Sequence, residues 1–176
     1  MSVMENKFDH DKNRKKRKKD PFKHKRPVYE VLYVEKDDRI REIIGSHLSA
    51  PRFSYSFAVT SVPSNDDVIP FVLNRTVDLV IIDGDQFDTN IQFIKTMVRK
   101  NCVLTPILFS FVDRGRAERT NLVTNPLDAA IEKYSLYTTI RGPSMINALI
   151  KRSMRIKEMA KNIREQRKPD DKGGNH

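Results

Sequence analysis

Glu35, Asp83 and Ser110 each close an apolar run, VYEVLYVE, VDLVIID and VLTPILFS in turn. Where parallel strands end together, such side chains share one rim of a sheet, the place where α/β folds gather their chemistry. Two carboxylates and a hydroxyl meeting at that rim are the most informative coincidence in the sequence. Beside them stand Lys36, next to the first acid, and Asp85, two residues past the second; Arg141 follows a further β-branched stretch, LYTTI. Other chemistries lack their residues. The histidines (His10, His24, His47, His176) are scattered, and with Cys102 they make no zinc pattern. A lone cysteine forms no intramolecular disulfide and points to a reducing compartment. With no activating neighbour it reads as a small core residue.

The elements that must position these residues alternate in type. Val28–Glu35 reads as a strand, and Asp37–Leu48 as a helix with acids at its start and Ile40, Ile43, Ile44 and Leu48 on one face. Phe53, Tyr55, Phe57 and Val59 alternate with polar residues, as in a half-buried edge strand. Ser64 to Asp67 forms a capping-box pattern that opens a short helix ending near Asn74. Val77–Asp83 has the continuous apolar character of a central strand covered on both faces. A helix with Ile91, Ile94 and Val98 on one side and a buried strand at Val103–Ser110 come next. A helix near Pro126–Lys133 and a fifth strand at Leu136–Ile140 complete the alternation. Pro143, suited to a first helical turn, opens a long helix that ends near Gln166. The pattern predicts an α/β fold: a five-stranded parallel, doubly wound, flavodoxin-like sheet with helices on both faces.

The segments LYVEKDDRIREIIGSHL, DLVIIDGDQFDTNIQFIKTM and TPILFS resemble, in that order, three parts of the receiver domain of bacterial two-component response regulators. These are the first strand and helix, the third strand with its phosphoacceptor aspartate, and the fourth strand. The likeness spans residues 28–152. It implies a phosphoacceptor at Asp83, a first pocket acid at Glu35 and a switch hydroxyl at Ser110. Arg141 is its substitute for the lysine that ends the family's fifth strand. It further implies phosphorelay signalling without catalysis, a histidine kinase or scaffold as protein partner, and Mg²⁺ only where the acidic pocket still works.

Lys36 occupies the position of the family's second acid. An ammonium has no lone pair for a metal, yet at about 4 Å it attracts a carboxylate by about 4 kcal/mol at an effective dielectric near 20. A Lys36 pair with Asp83 or Glu35 would neutralise the pocket without metal and hold Asp83 as a paired carboxylate. The expectation is a degenerate receiver, or pseudo-receiver, whose phosphorylation is slow or lost; a working phospho-receiver at Asp83 is the alternative. VIIDGD also resembles the Asp-x-Asp strand end of haloacid-dehalogenase-type phosphatases, with Asp85 as the second acid, Ser110 as the hydroxyl and Lys133 as the lysine. That reading needs a later acidic pair, and LYTTIRG supplies none.

The net charge of +10 sits at the ends. Residues 1–27 hold 11 basic and 4 acidic residues, 151–176 hold 9 and 4, and 28–150 hold 13 and 15. The chain thus divides into a disordered basic arm (1–27), a receiver-like domain (28–152), and a helical extension with a disordered tail (153–176). Arg14, Lys15, Lys16, Arg17, Lys18 and Lys19 form an anion-binding cluster for nucleic acid or another acidic surface. Nucleic-acid binding through such tails is a further alternative. No run reaches the roughly 18–20 apolar residues of a membrane span, and the first twenty residues lack a secretory signal's apolar stretch, so a cytoplasmic location is expected. In the last helix Ile146, Leu149, Ser153, Ile156, Ala160 and Ile163 recur at spacings of three and four, a short seam for a homodimer or a docking partner.

Overall fold

Among the described residues every strand pair is parallel, and the sheet order is β2-β1-β3-β4-β5. The strands are β1 Val28–Val34, β2 Ser56–Val62, β3 Leu79–Asp83, β4 Ile107–Phe111 and β5 Asp128–Glu132. The helices are α1 Asp38–Ser49, α2 Val68–Asn74 (after a 3₁₀ turn, Asn65–Asp67), α3 Ile91–Asn101, the single turn α4 Ser135–Thr138, and α5 Arg141–Gln166. The structure, a computed structural model, describes residues 26–52, 54–86, 90–113, 122–138 and 140–166. The expected disorder of the two ends and the cluster Arg14–Lys19 fall outside them.

Local chemistry sets most boundaries. The Asp37 carboxylate accepts from Ile40 N at 3.0 Å and caps α1, and the Asn90 side chain does the same for α3 through Phe93 N. The capping box forms: Ser64 Oγ accepts from Asp66 N, and Ser64 N donates to Asp67 Oδ2. β2 is an edge strand, as its alternation predicts. β3 lies at the centre of the sheet and is buried throughout. Residues of opposite parity feed two cores. Val31, Tyr33, Leu79 and Ile81 meet Ile44 and Leu48 of α1 and Ile146 and Ile150 of α5. Leu32, Val34, Val80 and Ile82 meet Val68 and Val72 of α2 and Ile94 and Val98 of α3.

The last third departs from the expected layout. The fifth strand is Asp128–Glu132, where a helix was expected, and Leu136 to Thr138, expected in a strand, lie in α4. DAAIE has helix-forming composition, but β4 imposes an extended ladder, Ile107↔Asp128 to Phe111↔Glu132. The Asp128 carboxylate pairs with Lys95 and Arg99 of α3, which anchors the start of that strand. Leu136 is fully buried on the α1/α5 side, and its amide donates back to Lys133 O at 3.0 Å, closing a turn. Gly142 lets α5 come down on that turn: a Cβ there would lie 2.6 Å from Ser135 O.

Candidate functional site

The carboxyl rim of the sheet carries a buried ionic nest. The β1–β2 ladder runs one bond past β1, Glu35 N to Val62 O at 3.0 Å, and sets Glu35 on the rim. Asp83 ends β3. β1 and β3 part after the pair Tyr33↔Ile81, so Asp83's backbone lacks a strand on that side. The fully buried Asn65 replaces it: Asp83 N donates to Asn65 Oδ1 at 3.1 Å, and Asn65 Nδ2 donates to Asp83 O at 2.8 Å. On the β4 side, Lys133 N donates to Phe111 O at 2.6 Å, one step beyond β5. This aims the Lys133 side chain inward.

Lys133 is the centre of the nest. Its Nζ lies 2.9 Å from Glu35 Oε2, 3.2 Å from Asp83 Oδ1 and 4.0 Å from Asp85 Oδ2. Burial alone would push its pKa down, but the hydrogen bond to Glu35 and the charges of Asp83 and Glu35 outweigh it, and the ammonium sits above the ordinary lysine value. Tyr33 donates its hydroxyl to Glu35 Oε2 at 3.2 Å. Burial first, then the neighbouring Glu35 charge, raises the Tyr33 pKa far above that of a free phenol, so it remains a donor. Glu35 Oε1 accepts from Asp37 N, Asp83 Oδ1 from Asp85 N, and Asp83 Oδ2 from Gln86 Nε2. All four oxygens of the two carboxylates therefore have a donor.

The nest brings together Glu35 and Asp83, with Ser110 across the ladder from Asp83 in the register Asp83↔Ser110. The Ser110 hydroxyl donates to Ile82 O at 3.3 Å. The expected Lys36 pair does not form: Lys36 is exposed, and among the described residues it makes no ion pair with Glu35 or Asp83. Lys133 holds both instead. Arg141 ends no strand; it opens α5 and is exposed, because the fifth strand lies earlier. Asp85, second acid of the phosphatase reading, accepts from Val112 N at 2.6 Å. Lys133 was legible in one respect, as the only lysine between Ser110 and Arg141. Tyr33, Asn65 and Gln86 carried no such signal.

No protein-family model matches the chain, and no curated protein matches it. Solved structures do. A response regulator receiver protein from Sinorhizobium medicae superposes with a TM-score of 0.58 at 16% identity, over 72% of this chain and 97% of that one. Response regulator protein TrrA from Thermotoga maritima, in complex with Mg²⁺-BeF, gives 0.56 at 12% identity, over 69% and 98%. A receiver domain protein from Clostridium thermocellum gives 0.54 at 15% identity, over 73% and 98%. The fold is that of response-regulator receiver domains. In this chain Lys133 directly follows β5, which ends at Glu132.

The Thermotoga structure holds Mg²⁺-BeF; at the rim of this sheet the acidic side chains within reach of one another are Glu35, Asp83 and Asp85. Mg²⁺ needs oxygen lone pairs in near-octahedral array. Glu35 Oε2 and Asp83 Oδ1 each accept twice, from Lys133 and from Tyr33 or the Asp85 amide, while Glu35 Oε1 and Asp83 Oδ2 each accept once, and the next position offers the ammonium of Lys36. Among the described residues no group of three acidic, histidine or cysteine side chains is arranged to hold an ion.

Proposed function

We propose that this protein is a receiver-like signalling module that acts through protein–protein contact, with Asp83 impaired as a phosphoacceptor. The observation that supports this is the state of Asp83: a buried carboxylate tied at both oxygens, beside an ammonium that also serves Glu35. To attack phosphorus, Asp83 must release Gln86 or Lys133 and meet an anionic donor beside a second buried carboxylate, Glu35, that shares the same ammonium. Lys133 can neutralise one charge of the transferring group. The several kcal/mol that a metal contributes in phosphoryl transfer has no replacement, and each 1.36 kcal/mol is about tenfold in rate. What remains is a surface set by a locked rim, suited to recognition by a kinase or scaffold.

The experiment is incubation with acetyl phosphate and Mg²⁺, scored by acid-stable, base-labile phosphate. No stoichiometric incorporation is expected. Full incorporation that disappears in Asp83→Asn would establish a working phospho-receiver and overturn the proposal. In the companion variant, Lys36→Asp, a carboxylate replaces an exposed ammonium beside Glu35, and Mg²⁺ affinity should rise; unchanged affinity would count against a ligand position at residue 36.

A further inference from the structure

We infer that the distal half of α5 docks on an anionic phospholipid surface, with its apolar stripe in the headgroup layer. The last residue of α5 buried by the domain is Ser153, whose hydroxyl donates to Leu104 O. Thirteen residues follow, ending with Gln166, about 20 Å of helix at 1.5 Å per residue. At 3.6 residues per turn, Ile156, Met159, Ala160 and Ile163 fall within an arc of about 100°. Met159 and Ile163 are 63% and 47% exposed, so the stripe is open to an occupant. Lys157 and Arg164 line one flank of it and Arg155 the other, while Lys161, paired with Glu165 at 3.8 Å, lies with Glu158 and Glu165 near the opposite pole. From 151 to 166 there are six basic residues (Lys151, Arg152, Arg155, Lys157, Lys161, Arg164) and two acidic (Glu158, Glu165), a net of +4.

Charge decides among occupants. A second copy is disfavoured, because the residues beside the seam are cations. A parallel pair sets Arg152 against the second copy's Lys157, and an antiparallel pair sets Lys157 against the second copy's Arg164. Residues 1–25 of this chain are themselves strongly basic. Nucleic acid accepts the cations but offers no layer for Ile156, Met159 and Ile163. An anionic bilayer takes both.

Placement supports the same partner. Lys157 borders a cleft with Thr76, Val77, Val103 and Leu104, the residues that lead into β3 and β4, so α5 leaves the domain at the amino rim of the sheet. Arg26 and Pro27 enter β1 at that same rim, and Lys12–Arg26 carries ten basic residues. Arg26, the last residue of that basic run, and Lys157 of α5 thus lie at one pole, opposite the acidic nest. No helix among the described residues is long and apolar enough to cross a membrane, which leaves an interfacial position.

The test is co-sedimentation of the full chain with vesicles of phosphatidylcholine containing about 30 mol % phosphatidylserine, at about 0.1 M salt, against pure phosphatidylcholine. Binding only to the anionic vesicles is expected, and Met159→Gln with Ile163→Gln should lower the partition about tenfold or more. Met154→Gln, on the opposite face of the same helix, should leave it unchanged, with the urea midpoint as a check that each variant is folded. Absence of binding to the anionic vesicles overturns the inference. So does equal binding by the double variant, which would assign attachment to the arm alone. A solution dimer that the double variant dissociates, or equal loss in Met154→Gln, overturns it too.

Discussion

Replacing Lys133 with methionine removes, among the described residues, the cation paired with both Glu35 and Asp83, each 3% exposed, while keeping the side chain's length. Two charge-assisted contacts, at 2.9 and 3.2 Å, are lost, and two carboxylates remain out of water. Breaking a buried pair from one side costs about 3–5 kcal/mol, much of a total stability of about 5–15 kcal/mol. At a urea slope near 2 kcal/mol/M, the midpoint should fall by about 2 M. Glu35→Gln in the Lys133→Met background should restore part of the loss, giving a coupling of about 1–3 kcal/mol in a double-mutant cycle. The pH dependence follows from the raised Lys133 pKa. A lysine whose folded pKa exceeds its unfolded value of about 10.5 contributes fully below pH 10.5, and that contribution is lost as pH rises through the folded value. The gap between wild type and variant should therefore be constant from pH 7 to about 9.5 and narrow as pH rises past about 10.5. Urea titrations at these pH values measure it. A Lys133→Met midpoint within about 0.5 M of wild type at pH 8 would refute the assignment of Lys133 as the group that holds the nest.

Other perturbations separate local causes. Tyr33→Phe deletes the donor to Glu35 Oε2 and should cost about 1–2 kcal/mol at neutral pH. Because the folded Tyr33 pKa is raised, its contribution is present below about pH 10 and lost above, so the variant should lose less stability than wild type between pH 9.5 and 11 in the same titrations. Gly45→Ala and Gly142→Ala should move the melting temperature in opposite directions. A Cβ at Gly45, inside α1, meets Ser61 Oγ at an ordinary 3.7 Å and should stabilise by about 0.5–1 kcal/mol. At Gly142 it would meet backbone of α4 at 2.6 and 2.8 Å and should destabilise by about 1–3 kcal/mol.

Most of the sheet was legible because its signal is local. β1, β3 and β4 are apolar runs with β-branched residues, Asp37 and Ser64 are caps of the expected type, and the edge position of β2 follows from alternation. β5 was not, since Ala129 and Ala130 take extended form only through β4, whereas LYTTI has strand propensity but buries Leu136 from a helical turn. That exchange carried the site with it. A fifth strand at 136–140 points to Arg141; one at 128–132 delivers Lys133. Glu35, Asp83 and Ser110 could be found because each closes an apolar run in the sequence, and the structure sets them just past, at, and one residue before a strand end. Asn65 and Gln86 could not, because their partners are set by how the β2–α2 and β3–α3 connections approach, 18 residues apart in the case of Asn65 and Asp83.

Because the chain enters β1 and leaves α5 on the same side of the sheet, the described domain has the geometry of a cassette. Spliced into a surface loop of a host protein, it would need only a short connection at each junction, and the host would sit well away from Lys133. Joining the present ends and opening a new pair elsewhere, in a circularly permuted chain, is eased by the same arrangement.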